Sequence, residues 1–219
     1  MDDPLHLTPW QRLALAYVPV SVRKAQETVL AMDAIGGKIC DSTSEMLLGQ
    51  MRYAWWRDVM NGTSTDRRTG HPLLELIGEQ PGFEQQALVP IIDAWESYIV
   101  DADGAYGGEH ARDRGAALAQ CFVRLGMADD SKELDNMLGC YALWDDIRMG
   151  RYDGEAAITV KQVLGKQLNP LRNWKIPRRL RILAIIREMI VRDALHDGWD
   201  KPLMRPSMAA RIIRRGLTG

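Results

Sequence analysis

This chain of 219 residues has little of what most recognisable chemistry requires. Its three cysteines, Cys40, Cys121 and Cys140, are odd in number and far apart, with no CxxC pair. That spacing excludes a disulfide framework or a cysteine zinc site and fits a reducing compartment. No apolar run approaches the ~20 residues that cross a bilayer. The opening MDDPLHL is acidic and has no apolar centre, so a secretory leader is not expected. No GxGxxG or Walker-type loop follows a strand, which removes the usual phosphate cradles. The four histidines, His6, His71, His110 and His196, form no motif with a serine or cysteine, so nucleophilic catalysis has no support. Nothing alternates with period two over a useful length, and no internal repeat or low-complexity segment is visible. A net charge of −1 gives no global pull toward nucleic acid.

What remains is an ordinary globular composition, 46% hydrophobic and 26% charged, long enough for one domain over residues 1–219 with a sizeable core. Helical signals run along almost all of it. Thr8-Pro9-Trp10-Gln11 reads as a capping box with proline at the first helical position. Ser21 opens a helix to about Cys40, with Val22, Ala25, Val29, Met32 and Ile39 at helical spacing. Ser44-Glu45 caps a third helix through Met60, which Asn61-Gly62 ends. His71-Pro72 starts a short helix that breaks near Pro81-Gly82. A helix from Phe83 to about Val100 carries Pro90 as an expected kink. Further helices are expected at 109–126, 130–149, 155–167, 177–196 and 206–215, with loops up to Gly70 and over 101–108. The fold class is therefore an all-α, single-domain helical bundle.

Charge is unevenly spread. From Lys166 onward there are 13 lysines and arginines against 4 acids, including Arg178, Arg179, Arg181, Arg187, Arg192, Arg211, Arg214 and Arg215. A solvated helix face is the plain explanation, and contact with an anionic membrane surface or an acidic protein is the sharper one. No aromatic platform interleaves with these arginines, so nucleic acid is not an expected partner.

The most specific segment is 47–58, LLGQMRYAWWRD. Before it come Tyr17-x-Pro19, Arg23 and an apolar helix to Ile39. After it come Arg114-Gly115-Ala116-Ala117-Leu118, Leu125-Gly126, Cys140-Tyr141-Ala142-Leu143-Trp144-Asp145 and an ending Arg205-Pro206 through Gly219. In this order they resemble the squalene/phytoene synthase family, and in particular a short bacterial branch with degenerate aspartate motifs. That branch is similar to a mitochondrial assembly factor for respiratory complex I. The resemblance implies a helical bundle of the isoprenoid-synthase type.

The family's reaction, head-to-head prenyl transfer, ionises an allylic diphosphate with the help of Mg²⁺ ions. These hard cations need carboxylate pairs on opposing helices, and DxxxD supplies one pair because residues four apart share a helix face. Laid on the family pattern, residues 29–41 place Gly37 and Lys38 at aspartate positions, and only Asp41 matches. Lys38 puts a positive charge where a metal would sit. Glu45 is four residues from Asp41, but Ser42-Thr43-Ser44 reads as a helix break between them. Residues 190–197, IVRDALHD, read locally like the second motif, with Asp193 and Asp197 at the right spacing, yet only 22 residues follow. Asp93 and Glu96 are a weaker acidic pair. Asp145 and Asp146 are adjacent, so at most one is expected to face any given cavity. The weak metal candidates are thus Asp41, Asp93, Asp193 and Asp197, and no residue is assigned a catalytic or cofactor-binding role. Tyr17, Arg23, Arg52, Trp55, Trp56, Arg57 and Asp58 are the candidate groove or partner-contact residues.

The expectation is a non-catalytic squalene/phytoene synthase homologue, cytoplasmic or peripheral to a membrane. It would bind an isoprenoid or lipid, or assist assembly of a membrane-associated respiratory complex, without a cofactor. The alternative is a Mg²⁺-dependent head-to-head prenyltransferase with a reduced metal site, in which Asp193 and Asp197 face Asp93 or Asp41.

Overall fold

A computed structural model describes residues 3–64, 70–100, 108–196, 198–203 and 206–218, with side chains left out for 206 and 215–218. Among them the order of α-helices is α1 (Pro9–Leu15), α2 (Val20–Ser42), α3 (Met46–Asn61), α4 (Pro72–Gly78), α5 (Val89–Val100), α6 (Glu109–Arg124), α7 (Lys132–Arg148), α8 (Gly154–Leu168), α9 (Arg181–His196) and α10 (Pro206–Thr218). Short 3₁₀ turns precede α5 and α9 and follow α8. No strand occurs among the described residues.

Local chemistry sets several of the ends. The Thr8 side chain accepts from the backbone N–H of Gln11 while the Gln11 side chain accepts from that of Thr8, so both orphan donors at the start of α1 are satisfied. His71 caps α4 through Nδ1, which accepts from the Leu73 N–H at 3.2 Å. Ser131 caps α7 through its hydroxyl, which accepts from Leu134 N–H. Gly62 closes α3 in the left-handed region at φ +72°.

Three expectations need correction. Pro90 does not kink a helix: residues 85–88 form a 3₁₀ turn, α5 begins at Val89, and Pro90 falls in the first turn, where its missing N–H leaves no bond unmade. Ser44 does not cap α3; Glu45 holds the cap position without a side-chain bond. The expected helix at 177 opens as a 3₁₀ turn, Arg178–Leu180, and becomes α-helical only at Arg181.

The core is built around α2, α5, α6 and α7. α5 packs on α2, α3 and α6, and α6 lies along α7. α8 and α9 cover α7, α10 closes on α9 and α1, and α4 lies on α2. The α6–α7 approach is the tightest: a Cβ on Gly115 would fall 2.5 Å from Cα of Gly139. Trp95, Trp144, Tyr53, Tyr141 and Phe122 are fully buried, and each such side chain stabilises the fold by ~2–3 kcal/mol relative to exposure. No helix among the described residues is long and apolar enough to cross a membrane.

Candidate functional site

Two hollows adjoin where α2 ends, and His6 and Lys38 line both. His6 sits at this junction with φ +57°, an uncommon conformation for a residue with a side chain. The outer hollow is a groove of about 560 Å³ between α2, α3 and the start of α4. Ile35, Ile39, Leu48, Met51, Trp55 and Trp56 give it an apolar wall. Lys38, Arg52, His71 and the hydroxyls of Ser42, Thr43 and Ser44 give it a polar rim. Arg52 Nη1 donates to Ser42 Oγ and Thr43 Oγ1 at 3.2 and 3.3 Å, which leaves its charge without a carboxylate partner in those bonds.

The inner hollow, about 140 Å³, reaches the charged centre of the bundle. Arg114 on α6 is 2% exposed and gathers three aspartates. Its Nε and Nη2 donate to Asp33 of α2 at 2.7 and 2.6 Å. Nη2 also donates to Asp145 at 2.7 Å and Nη1 to Asp146 at 2.9 Å, both on α7. The guanidinium lies over the Trp95 ring, 4.6 Å from its centroid, and Trp95 Nε1 donates to Asp33 at 3.0 Å. Burial opposes the charge on Arg114, but Asp33, Asp145 and Asp146 more than offset it and hold its pKa well above the ordinary value. Arg151 adds a second cation: its Nη2 donates to Asp41 at 2.8 Å and its guanidinium lies 5.0 Å from the Trp95 ring centroid.

Both Asp145 and Asp146 therefore meet Arg114, while of the two adjacent carboxylates only Asp145 lines the inner hollow, in line with the expectation that at most one faces a given cavity. A guanidinium presents a planar fork, so side chains about 100° apart on α7 can bind different nitrogens. Burial pushes the Asp146 carboxyl up to about 7 despite Arg114 and Arg151. Its Oδ2 has no hydrogen bond and lies 4.0 Å from His110 Nε2, also without one. Burial, helped by Arg114 and Arg151, pushes His110 down to about 3, so its imidazole is neutral at pH 7.

The adjacent glycines of α2 have a packing reason. A Cβ on Gly36 would fall 2.2 Å from Trp95 Cδ1, and one on Gly37 would be 3.3 Å from the same indole and 3.5 Å from Arg151 Nη2. The Trp95 ring therefore packs over Gly36 and Gly37, on the side of α2 from which Asp33 and Asp41 reach the inner hollow.

Comparison of the chain with protein-family models, with curated proteins and with solved structures gives no match.

The candidate residues divide among several places. Arg52, Trp55 and Trp56 come together in the outer groove, and Asp41 lines the inner hollow. Trp56 is buried and Trp55 half-buried, their rings meeting edge to face at 4.9 Å. Arg57 turns the other way and pairs with Asp93 and Glu96 of α5. Asp58 is exposed at the end of α3, where it accepts from the Thr63 hydroxyl. Tyr17 is half-buried against the core, and Arg23 donates to the carbonyls of Ala16 and Val18. Asp193 is fully buried, bound by Trp144 Nε1 at 2.8 Å, Arg148 Nε at 2.7 Å and Arg192 Nε at 2.6 Å. Asp197 lies outside the described residues. Asp41 is thus held by Arg151, Asp93 by Arg57, and Asp193 by Arg148 and Arg192, so the three carboxylates share no arginine.

Asp33 was not singled out from the sequence, and Arg114 and Asp146 were noted there without being recognised as its partners. The available signal was a charge set inside an apolar stripe: Asp33 lies between Val29, Leu30 and Gly36, and Arg114 between Ala111 and Leu118. A charge on the buried face of a helix requires a buried partner.

The basic C-terminal side chains are partly committed within the fold. Arg179 pairs with Asp129, Arg187 donates to the carbonyls of Leu171 and Trp174, and Arg192 holds Asp193.

Proposed function

We propose that this chain is a binding protein built on a squalene/phytoene-synthase-like bundle. Its ligand is an isoprenoid or other single-chain lipid with an anionic head. The observation that carries this reading is the outer groove, with an apolar wall of Ile35, Ile39, Leu48, Met51, Trp55 and Trp56 below a rim of Lys38 and Arg52. A chain of methyl-branched carbons fits such a wall, and a phosphate or carboxylate fits the two cations. At the bundle centre the carboxylates already balance Arg114 and Arg151. A divalent cation would have to displace those guanidinium bonds, so the residues present fit a metal set poorly. A binding or assembly role at a respiratory complex is compatible with this chemistry.

One observation favours the second reading, a Mg²⁺-dependent prenyltransferase. Asp33 and Asp41 from α2 and Asp145 from α7 line the same inner hollow.

A single experiment separates the two. Purified protein is titrated with farnesyl diphosphate and geranylgeranyl diphosphate, with and without Mg²⁺, while tryptophan fluorescence and pyrophosphate release are both recorded. Saturable quenching with no pyrophosphate supports the binding protein. Steady pyrophosphate release supports the transferase and overturns the first reading, and the absence of any saturable change overturns it as well.

A further inference from the structure

α3 is apolar on two faces over its first turns. Its inward face carries Gly49, Tyr53, Trp56, Val59 and Met60, as a helix lying on a core should. Yet Met46, Leu47, Leu48 and Met51 are 51%, 67%, 51% and 61% exposed. Leu47, Met51 and Ala54 follow one another at i, i+4 and i+7, so they form an outward stripe, with Leu48 beside it.

Leu48 and Met51 also line the outer groove. The exposed stripe and the groove wall are therefore one continuous apolar surface that leads from solvent to Trp55 and Trp56. Exposed Lys38 and Arg52 flank it. Of the nearby acids, Asp41 is tied to Arg151 and Glu45 stands at the start of α3.

Charge at the rim limits what covers the patch. Four side chains exposed by half or more amount to roughly 400 Å², within the range of the largest apolar patch on a monomer. A self-complementary contact through it would bring Lys38 and Arg52 of both copies to the same rim, so a second copy of the chain is poorly matched. The composition suits the boundary zone of a bilayer. Unbranched and γ-branched apolar chains enter the acyl region, cations stay at the level of the phosphates, and a half-buried tryptophan stands behind them.

We propose that the first two turns of α3, with Lys38 and Arg52, dock the protein on an anionic lipid surface so that the outer groove opens onto the bilayer. The inference goes beyond the groove's ligand and rests on that reading only for what passes through the mouth. The docking surface is distinct from the basic C-terminal helices.

The test is co-sedimentation with vesicles of phosphatidylcholine containing phosphatidylglycerol, beside vesicles of phosphatidylcholine alone. The protein is expected to bind the mixed vesicles. Leu47→Gln with Met51→Gln is expected to weaken binding at least about tenfold with an unchanged circular dichroism spectrum, since both side chains are exposed. Lys38→Glu with Arg52→Glu is expected to remove the preference for the anionic lipid. No binding by the unaltered protein would overturn the proposal, as would full binding by the Leu47/Met51 variant. Loss of binding in Arg178→Glu with Arg211→Glu would move the surface to the C-terminal helices and overturn it too. A dimer in solution that the Leu47/Met51 variant dissolves would assign the patch to a second copy. No groove ligand enters this assay, so its outcome is independent of the diphosphate titration.

Discussion

The indole of Trp95 lies across Gly36 so closely that any side chain there would meet it: an added Cβ would be 2.2 Å from Cδ1 and 2.7 Å from Cγ. This contact joins α2 to α5 and aims Trp95 Nε1 at Asp33. Gly36→Ala must therefore displace a fully buried tryptophan. It is expected to cost ~1–3 kcal/mol, the range for overpacking a core, as a lower urea midpoint. In a double-mutant cycle with Trp95→Ala the two changes should couple by ~0.5 kcal/mol or more, because loss of the ring removes the clash. Strict additivity would disprove the contact.

Arg114 is the common partner of Asp33, Asp145 and Asp146. Arg114→Met removes the cation and leaves buried carboxylates facing one another, at an expected cost of ~3–5 kcal/mol. Arg114→Lys keeps the charge but cannot reproduce bonds from three nitrogens, so most of that loss should remain. Chemical denaturation followed by circular dichroism measures both, and a Lys variant as stable as the original would refute the fork geometry.

His110 and Asp146 give opposed pH dependences in overlapping windows. The unfolded histidine takes up a proton near 6.5, whereas the folded one resists until about 3, so this group makes stability fall as pH drops through that window. The Asp146 carboxyl keeps its proton in the fold up to about 7 but loses it near 3.8 when unfolded, so this group makes stability fall as pH rises from about 4 to 7. Asp146→Asn should leave the histidine slope alone, with stability rising from pH 4 to 6.5. His110→Gln should leave the aspartate slope alone, with stability falling over the same range. Denaturant midpoints across pH 4–7 check the two signs, and slopes of the same sign in both variants would contradict the assignment.

Lys38 stands on the rim shared by both hollows. Lys38→Glu should weaken binding of a prenyl phosphate to the groove by about tenfold, as expected for the loss of one charge-assisted contact, and should leave binding of the neutral alcohol nearly unchanged. Parallel fluorescence titrations with farnesyl phosphate and farnesol decide this.

Much of the architecture was legible because it is written in short-range chemistry. The Thr8–Gln11 box, the His71-Pro72 start and the Gly62 stop act within a few residues, so spacing alone locates them. Pro90 misled because its effect depends on whether a 3₁₀ turn or an α-helix precedes it, which packing decides. The groove was partly legible: Arg52, Trp55 and Trp56 share one wall, but Arg57, one residue on, points to α5 and Asp93. Helical phase separates them, and only the position of the neighbouring helices shows which phase faces the hollow.

The sequence by itself determined that helices dominate the chain, that residues 36–38 read Gly-Gly-Lys, and that basic charge accumulates toward the C-terminus. Those facts follow from residue type and period. Only the tertiary structure decided which charges meet. Asp33, Arg114, Asp145 and Asp146 come from three helices up to 113 residues apart in the sequence, and nothing local marks them as partners. It also decided why Gly36 and Gly37 are small, since the group that excludes a side chain there is an indole on α5. Ion pairing and close packing act across space, where the order of residues along the chain sets no distance.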